Sequence, residues 1–107
     1  MTLHMKPLIT LVFLFASPFV NANALGNADL GKVKSPSCVF CHGQNGQALN
    51  PSYPNLNGQN AEYLYQSMVD YQQGKRTSGM AQMMAAQLRQ LNEQDLRDIA
   101  AFYAQQP

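Results

Sequence analysis

Two cysteines and a histidine lie close together in the segment SPSCVFCHGQNG, residues 35–46, and could form a chemical site. Cys38, Cys41 and His42 have the spacing C-x-x-C-H, and the chain has no other cysteine. Thiol and imidazole groups at this spacing serve three kinds of chemistry, namely zinc binding, dithiol redox exchange and covalent attachment of a haem. The rest of the sequence must decide among the three.

Zinc binding and dithiol exchange fit this sequence poorly. A structural zinc ion takes four ligands, whereas Cys38, Cys41 and His42 are the only Cys or His residues after the N-terminal segment. A reactive dithiol belongs beside a β-strand, and no segment here has the alternation typical of a strand. Haem attachment is therefore favoured, because thiols three residues apart on a helical turn project to one side of it.

The N-terminus has the pattern of an export signal. Lys6 gives a short basic region, residues 7–20 form an apolar run, and cleavage is predicted after Ala22 or Ala24. The run is too short to span a bilayer comfortably, which disfavours the alternative of an uncleaved anchor. The sequence thus predicts a signal peptide over residues 1–24, one domain over residues 25–107, and a periplasmic location.

The charges of the predicted mature domain nearly cancel. Residues 25–107 contain six Lys or Arg and six Asp or Glu side chains, scattered along the chain. Nucleic-acid binding requires a concentrated excess of positive charge, so it is not predicted. A domain of this size buries a modest apolar core, and an enclosed haem would help to stabilise it.

Helical signals dominate the predicted domain, which is expected to be all-α. One helix is predicted from Asn27 to about Ser35, where Pro36 ends it. A second begins at Asn60 and ends at Gly74, and a third follows Asn92. Residues 42–59 are rich in turn-forming residues and predict a long loop. In a small domain, a loop of this length normally encloses a bound group.

A haem iron held by one histidine needs a sixth ligand, and methionine is the natural candidate because no second histidine follows residue 42. Met68 is expected to pack in the core of the second predicted helix. Met80, Met83 and Met84 precede the last helix and could fold over the opposite face of the haem. The residues alone leave these three alternatives open.

The ordered set of motifs resembles that of the class I c-type cytochromes, in particular the small bacterial periplasmic domains that occur singly or as halves of dihaem cytochromes. The resemblance covers nearly all of residues 25–107. It rests on Gly31-Lys32, the segment from Cys38 to Gly43, YPNLNGQ at residues 53–59, GKRT at residues 74–77, and LNEQD at residues 91–95 leading into AAFY at residues 100–103.

The resemblance implies a cytochrome c fold of three to five short helices around one covalently bound haem c. Cys38 and Cys41 would form the thioethers and His42 would bind the iron. The Pro54 carbonyl would accept the other ring N–H of His42, and Gly31 would allow a close helix crossing at Phe102. The second iron ligand would be Met84, seven residues before Leu91, with Met83 or Met80 as the alternatives.

The expected function is periplasmic electron transfer by an iron that alternates between Fe(III) and Fe(II), rather than catalysis. The predicted partners are transient redox proteins, without stable membrane insertion, and the protein is expected to be a monomer. Two alternatives stay open: a haem-based sensor or small-ligand binder with a labile sixth ligand, and a subunit of a larger oxidoreductase.

Overall fold

The computed structural model describes residues 1–16 and 26–107, and the second range is entirely helical and loop structure. Residues 26–107 form five α-helices and no strand: α1 Ala28–Lys34, α2 Pro36–His42, α3 Ala61–Gln72, α4 Ala81–Leu88 and α5 Glu93–Ala104. The prediction of an all-α domain is confirmed.

Residues 1–16 form neither helix nor strand. The predicted cleavage site after Ala22 or Ala24, and the last residues of the apolar run, lie outside the described residues. Within the two described ranges, no helix is long and apolar enough to cross a membrane.

Three of the helices begin at an asparagine whose side chain caps the first turn. The side-chain oxygens of Asn27, Asn60 and Asn92 accept hydrogen bonds from backbone N–H groups three residues later in the chain. Asp95 also accepts a hydrogen bond from the Asn92 N–H, which completes a capping box at the start of α5. The three helices predicted from the sequence are therefore confirmed, with small differences at their ends.

The structure contains two helices that were not predicted as separate elements. Pro36 ends α1 but is also the first residue of α2, where its missing N–H costs no helical hydrogen bond. α4 lies in the methionine-rich segment, for which no helix was predicted. Its N-cap residue is Met80, which makes no side-chain capping bond, so the sequence carried no start signal there.

α5 is the central helix of the fold, and it packs against α1 on one side and α3 on another. α4 packs on α3. The last helix supplies much of the core, since Leu96, Ile99, Ala100, Phe102 and Tyr103 are all buried.

The crossing of α1 and α5 depends on Gly31. A Cβ atom at this position would lie 2.8 Å from the Cβ of Phe102 and would overlap the backbone carbonyl of Asp98. Only glycine lets the two helix backbones approach this closely. The close crossing of Gly31 and Phe102 expected from the sequence is present.

A buried carboxylate joins the same two helices. Asp98 is inaccessible to solvent and accepts hydrogen bonds from the Asn27 N–H at 2.7 Å, the Lys34 ammonium at 2.6 Å and the Gln94 amide at 2.8 Å. Lys34 also pairs with Asp95 at 2.9 Å. Burial by itself would raise the pKa of Asp98, but these donors outweigh it and lower the pKa below its ordinary value.

Replacing Asp98 by Asn should lower the free energy of unfolding at pH 7 by about 2 kcal/mol, because the buried donors lose their carboxylate. The lowered pKa means that the carboxylate stabilises the fold above about pH 4 and that this contribution disappears as the pH falls through the folded-state pKa. The difference between variant and wild type should therefore shrink in acid. Guanidinium unfolding curves at several pH values measure it.

The matched control is Asp29→Asn, which changes an exposed carboxylate in the first turn of α1. It should change the free energy of unfolding by less than about 0.5 kcal/mol at any pH. Equal effects of the two substitutions would mean that the hydrogen bonds to buried Asp98 contribute no more to the free energy of unfolding than an exposed carboxylate does.

Candidate functional site

The C-x-x-C-H motif lies on α2, which separates its reactive side chains from its exposed ones. Cys38 and Cys41 are partly buried, are not joined in a disulfide, and stand three residues apart, so they project to the same side of the helix. His42 is only 6% exposed. Phe40, between the two cysteines, is 92% exposed. α2 thus turns two thiols and an imidazole inward and an aromatic ring outward.

A hydrogen bond to the following loop orients the His42 ring. Its Nδ1 atom lies 2.8 Å from the carbonyl oxygen of Pro54. Because a carbonyl only accepts, Nδ1 must carry the hydrogen, and the neutral ring then has its lone pair on Nε2. This is the tautomer that binds a metal ion through Nε2, and the buried ring cannot turn freely to another orientation.

The loop that supplies Pro54 is closed by Gly46. The Gly46 carbonyl accepts hydrogen bonds from the N–H groups of Leu56 and Asn57, at 2.6 and 3.2 Å. Gly46 has a φ of 82°, and a Cβ there would lie 2.7 Å from the Asn57 nitrogen and 2.8 Å from Cδ1 of Tyr103. The turn-forming residues of the sequence predict the loop but do not indicate this specific requirement for glycine.

The three candidate methionines differ in burial: Met83 and Met84 lie on α4, and Met80 is its N-cap residue. Met84 is partly buried and packs against the hydrophobic core, on the same face of the helix as the buried residues Ala81 and Leu88. Met80 and Met83 are 44% and 45% exposed. Met68 is buried on α3 and belongs to the core cluster.

The environment of Cys38 includes Tyr103, which the sequence singles out only as the last residue of the segment AAFY. Burial raises the pKa of the Cys38 thiol, and the neighbouring Ser37 side chain, with a smaller contribution from Tyr103, partly offsets this effect. Burial, with a contribution from Cys38, raises the pKa of Tyr103 to about 12. The Tyr103 hydroxyl is buried without a hydrogen-bond partner. The only feature of the sequence that pointed to this role was a tyrosine, with its hydroxyl group, on the inner face of the last helix.

These residues fit a covalently attached haem. The two unpaired thiols on one face of α2 can form thioethers, and the lone pair on His42 Nε2 is a suitable iron ligand. The thioether sulfur of a methionine on the inner face of α4 is a suitable second ligand. An all-α domain with this donor set has the features of a c-type haem protein.

Comparison with known proteins assigns the family. The family model described as Cytochrome c matches residues 28–106. Cytochrome c-554(548) of Halomonas halodenitrificans is 46% identical over 81 residues, which are 76% of this chain and 98% of that protein. Cytochrome c4 of Pseudomonas aeruginosa is 42% identical over 85 residues, which are 79% of this chain and 41% of that protein.

A solved structure gives the same result. The crystal structure of reduced recombinant cytochrome c4 from Pseudomonas stutzeri superimposes with a TM-score of 0.65 at 32% identity, over 77% of this chain and 46% of that one. The chain therefore belongs to the cytochrome c family and has its fold. The family's cofactor is covalently bound haem c, and its chemistry is electron transfer. The chain spans less than half of the two c4 proteins that it matches here.

Replacing Gly46 by Ala should destabilise the protein more than the same change at Gly79. Both glycines have positive φ values, 82° and 54°, so both substitutions strain the backbone. A Cβ at Gly79 meets open space, whereas one at Gly46 meets Asn57 and Tyr103. The additional loss at Gly46 should be about 1–3 kcal/mol in the free energy of unfolding, measured by denaturant titration. Equal losses would contradict the close packing described here.

Proposed function

We propose that this protein is a periplasmic electron carrier with a single haem c, whose iron is ligated by His42 and Met84. The observation that carries the proposal is the hydrogen bond between His42 Nδ1 and the Pro54 carbonyl, because it leaves Nε2 available as an iron ligand. The family relationship supplies the cofactor class and the electron-transfer chemistry.

Each residue of the motif has a distinct role in this proposal. Cys38 and Cys41 would hold the cofactor by thioether bonds, each formed by addition of an S–H group across one vinyl group of the haem. His42 binds the iron from the α2 side. Pro54 fixes the ring orientation of His42. The bound haem supplies a one-electron Fe(III)/Fe(II) couple.

The choice of Met84 rests on its position in α4. Its side chain contacts the hydrophobic core, whereas the side chains of Met80 and Met83 are close to half exposed. A neutral thioether favours Fe(II) and raises the reduction potential. Two fixed ligands from the packed helices α2 and α4 would also limit the structural rearrangement that accompanies each change of oxidation state.

The partners in this proposal are other redox proteins that dock transiently at the outer face of α2. Phe40 is almost fully exposed there, beside both anchoring cysteines, and offers a small apolar contact. Small interfaces suit rapid association and release. The protein would act as a monomeric carrier and not as an enzyme, and it would bind neither nucleic acid nor the membrane stably.

The proposed location follows from the N-terminal sequence. The basic Lys6, the apolar run at residues 7–20 and the small residues at positions 22–24 fit an export signal that is removed at the periplasm. Residues 25–107 would then be the mature haem domain.

Met84→Ala should abolish the weak absorption band that sulfur ligation gives to the oxidised haem protein, because the iron loses its thioether ligand. The matched control is Met83→Ala, at the neighbouring position on the exposed side of α4. That variant should keep the band. Optical spectra of the oxidised proteins after periplasmic expression provide the measurement.

Two results would contradict this assignment. If the band survives in Met84→Ala but is lost in Met83→Ala or Met80→Ala, the methionine whose replacement removes the band is the iron ligand. Binding of carbon monoxide by the untreated reduced wild-type protein would indicate an open or labile sixth position, and would favour the alternative of a small-ligand binder.

A further inference from the structure

The Tyr103 side chain combines complete burial with an unsatisfied polar group. The residue is 1% exposed, and its hydroxyl is the one buried side-chain nitrogen or oxygen in residues 1–16 and 26–107 that has no hydrogen-bond partner. A buried donor without a partner costs its full desolvation free energy, so such groups are rare in native proteins. The role of this hydroxyl needs a physical explanation.

The Tyr103 ring is held in place from several directions. The Phe102 ring lies 4.9 Å from it between centroids, and the close approach of Gly46 blocks movement towards the loop. The Tyr103 carbonyl accepts a hydrogen bond from the Gly58 N–H at 3.0 Å, which fixes the backbone. The hydroxyl therefore cannot reach solvent by a simple rotation of the side chain.

Two polar side chains lie near the Tyr103 hydroxyl, those of Ser35 and Cys38. The Ser35 hydroxyl already donates to the Gly31 carbonyl within α1. Cys38 packs against the core cluster to which Tyr103 belongs. The oxygen of Ser35 and the sulfur of Cys38 both keep lone pairs, so either could accept a hydrogen bond from the Tyr103 hydroxyl.

Attachment of the haem changes what the Cys38 sulfur can do. A free thiol can donate its own hydrogen, whereas a thioether sulfur carries only lone pairs and can only accept. The Tyr103 hydroxyl keeps its hydrogen at neutral pH, because burial raises its pKa to about 12. The donor and the acceptor become complementary once the cofactor is bound.

We propose that Tyr103 is a positioning residue of the haem site, whose hydroxyl donates a hydrogen bond to the Cys38 sulfur when that sulfur is bonded to the haem. The proposal rests on the covalent haem attachment proposed above. The hydrogen bond satisfies the buried hydroxyl and fixes the orientation of the Cys38 side chain. The positive end of the O–H dipole then points towards the haem edge and favours the reduced form.

The test compares wild-type holoprotein with Tyr103→Phe, which keeps the ring and removes only the hydroxyl. Loss of the hydrogen bond should reduce the folding equilibrium constant about fivefold to tenfold. It should also lower the reduction potential, which a purely structural role of the hydroxyl would not change. Guanidinium unfolding and a spectroelectrochemical titration measure the two quantities.

The matched control is Tyr65→Phe, because the Tyr65 ring also packs against the core cluster. The Tyr65 ring faces the Arg97 guanidinium at 3.9 Å, and we expect the reduction potential of this variant to equal that of wild type. Higher stability of Tyr103→Phe would overturn the proposal, because it would mean that the hydroxyl remains unpaired in the holoprotein. An unchanged potential would overturn it as well.

Ser35→Ala, alone and combined with Tyr103→Phe, tests the competing acceptor. Additive effects of the two substitutions on stability support Cys38 as the partner, whereas strong coupling between them would assign the hydrogen bond to Ser35 and overturn the proposal. Wild-type protein without covalently bound haem, detected by mass, would overturn the proposed function too. A haem-loaded Tyr103→Phe variant with unchanged potential would overturn only the role of Tyr103.

Discussion

The close crossing of α1 over α5 is the constraint on which the rest of the structure depends. Gly31 permits it, because any Cβ at that position would overlap the backbone of α5. Asp98 then joins the helices by accepting hydrogen bonds from both the Asn27 backbone and the Lys34 side chain. α2 follows α1 after a single residue, so the crossing also determines where Cys38 lies relative to Tyr103.

The candidate site is assembled by elements that are distant in sequence. His42 ends α2, and its ring is oriented by Pro54 on a loop that Gly46 closes. Met84 comes from α4, which reaches the core through its packing on α3. The site therefore depends on the whole domain, and a change in the helix crossing or in the loop would alter its geometry without touching a proposed ligand.

Charged side chains are paired mainly on the surface of α5, away from the motif. Besides the Lys34 pairs, Arg97 lies 3.2 Å from Glu93 and 3.8 Å from Glu62, and its guanidinium stacks over the Tyr65 ring at 3.9 Å. These exposed pairs contribute little stability individually. They pair opposite charges around α5, whereas α2 contains no Lys, Arg, Asp or Glu side chain and exposes Phe40.

The helices predicted from sequence were those with clear local signals. Asparagine caps and apolar periodicity identify α3 and α5, since these features act within a few residues of each other. α2 was less evident, because Pro36 ends one helix and begins the next. α4 was missed because Met80 provides no capping hydrogen bond, although its Ala, Gln, Met and Leu residues favour a helix and it packs on α3.

The sequence by itself determined the chemistry that is available: two thiols and an imidazole at the spacing C-x-x-C-H, a loop able to enclose a cofactor, and three methionines near the last helix. Only the tertiary structure distinguished Met84 from Met80 and Met83 by burial, gave His42 its tautomer through Pro54, and left the Tyr103 hydroxyl beside Cys38. The reason is physical: residue type and spacing fix which groups can react, whereas burial and hydrogen-bond partners arise from elements that meet only on folding.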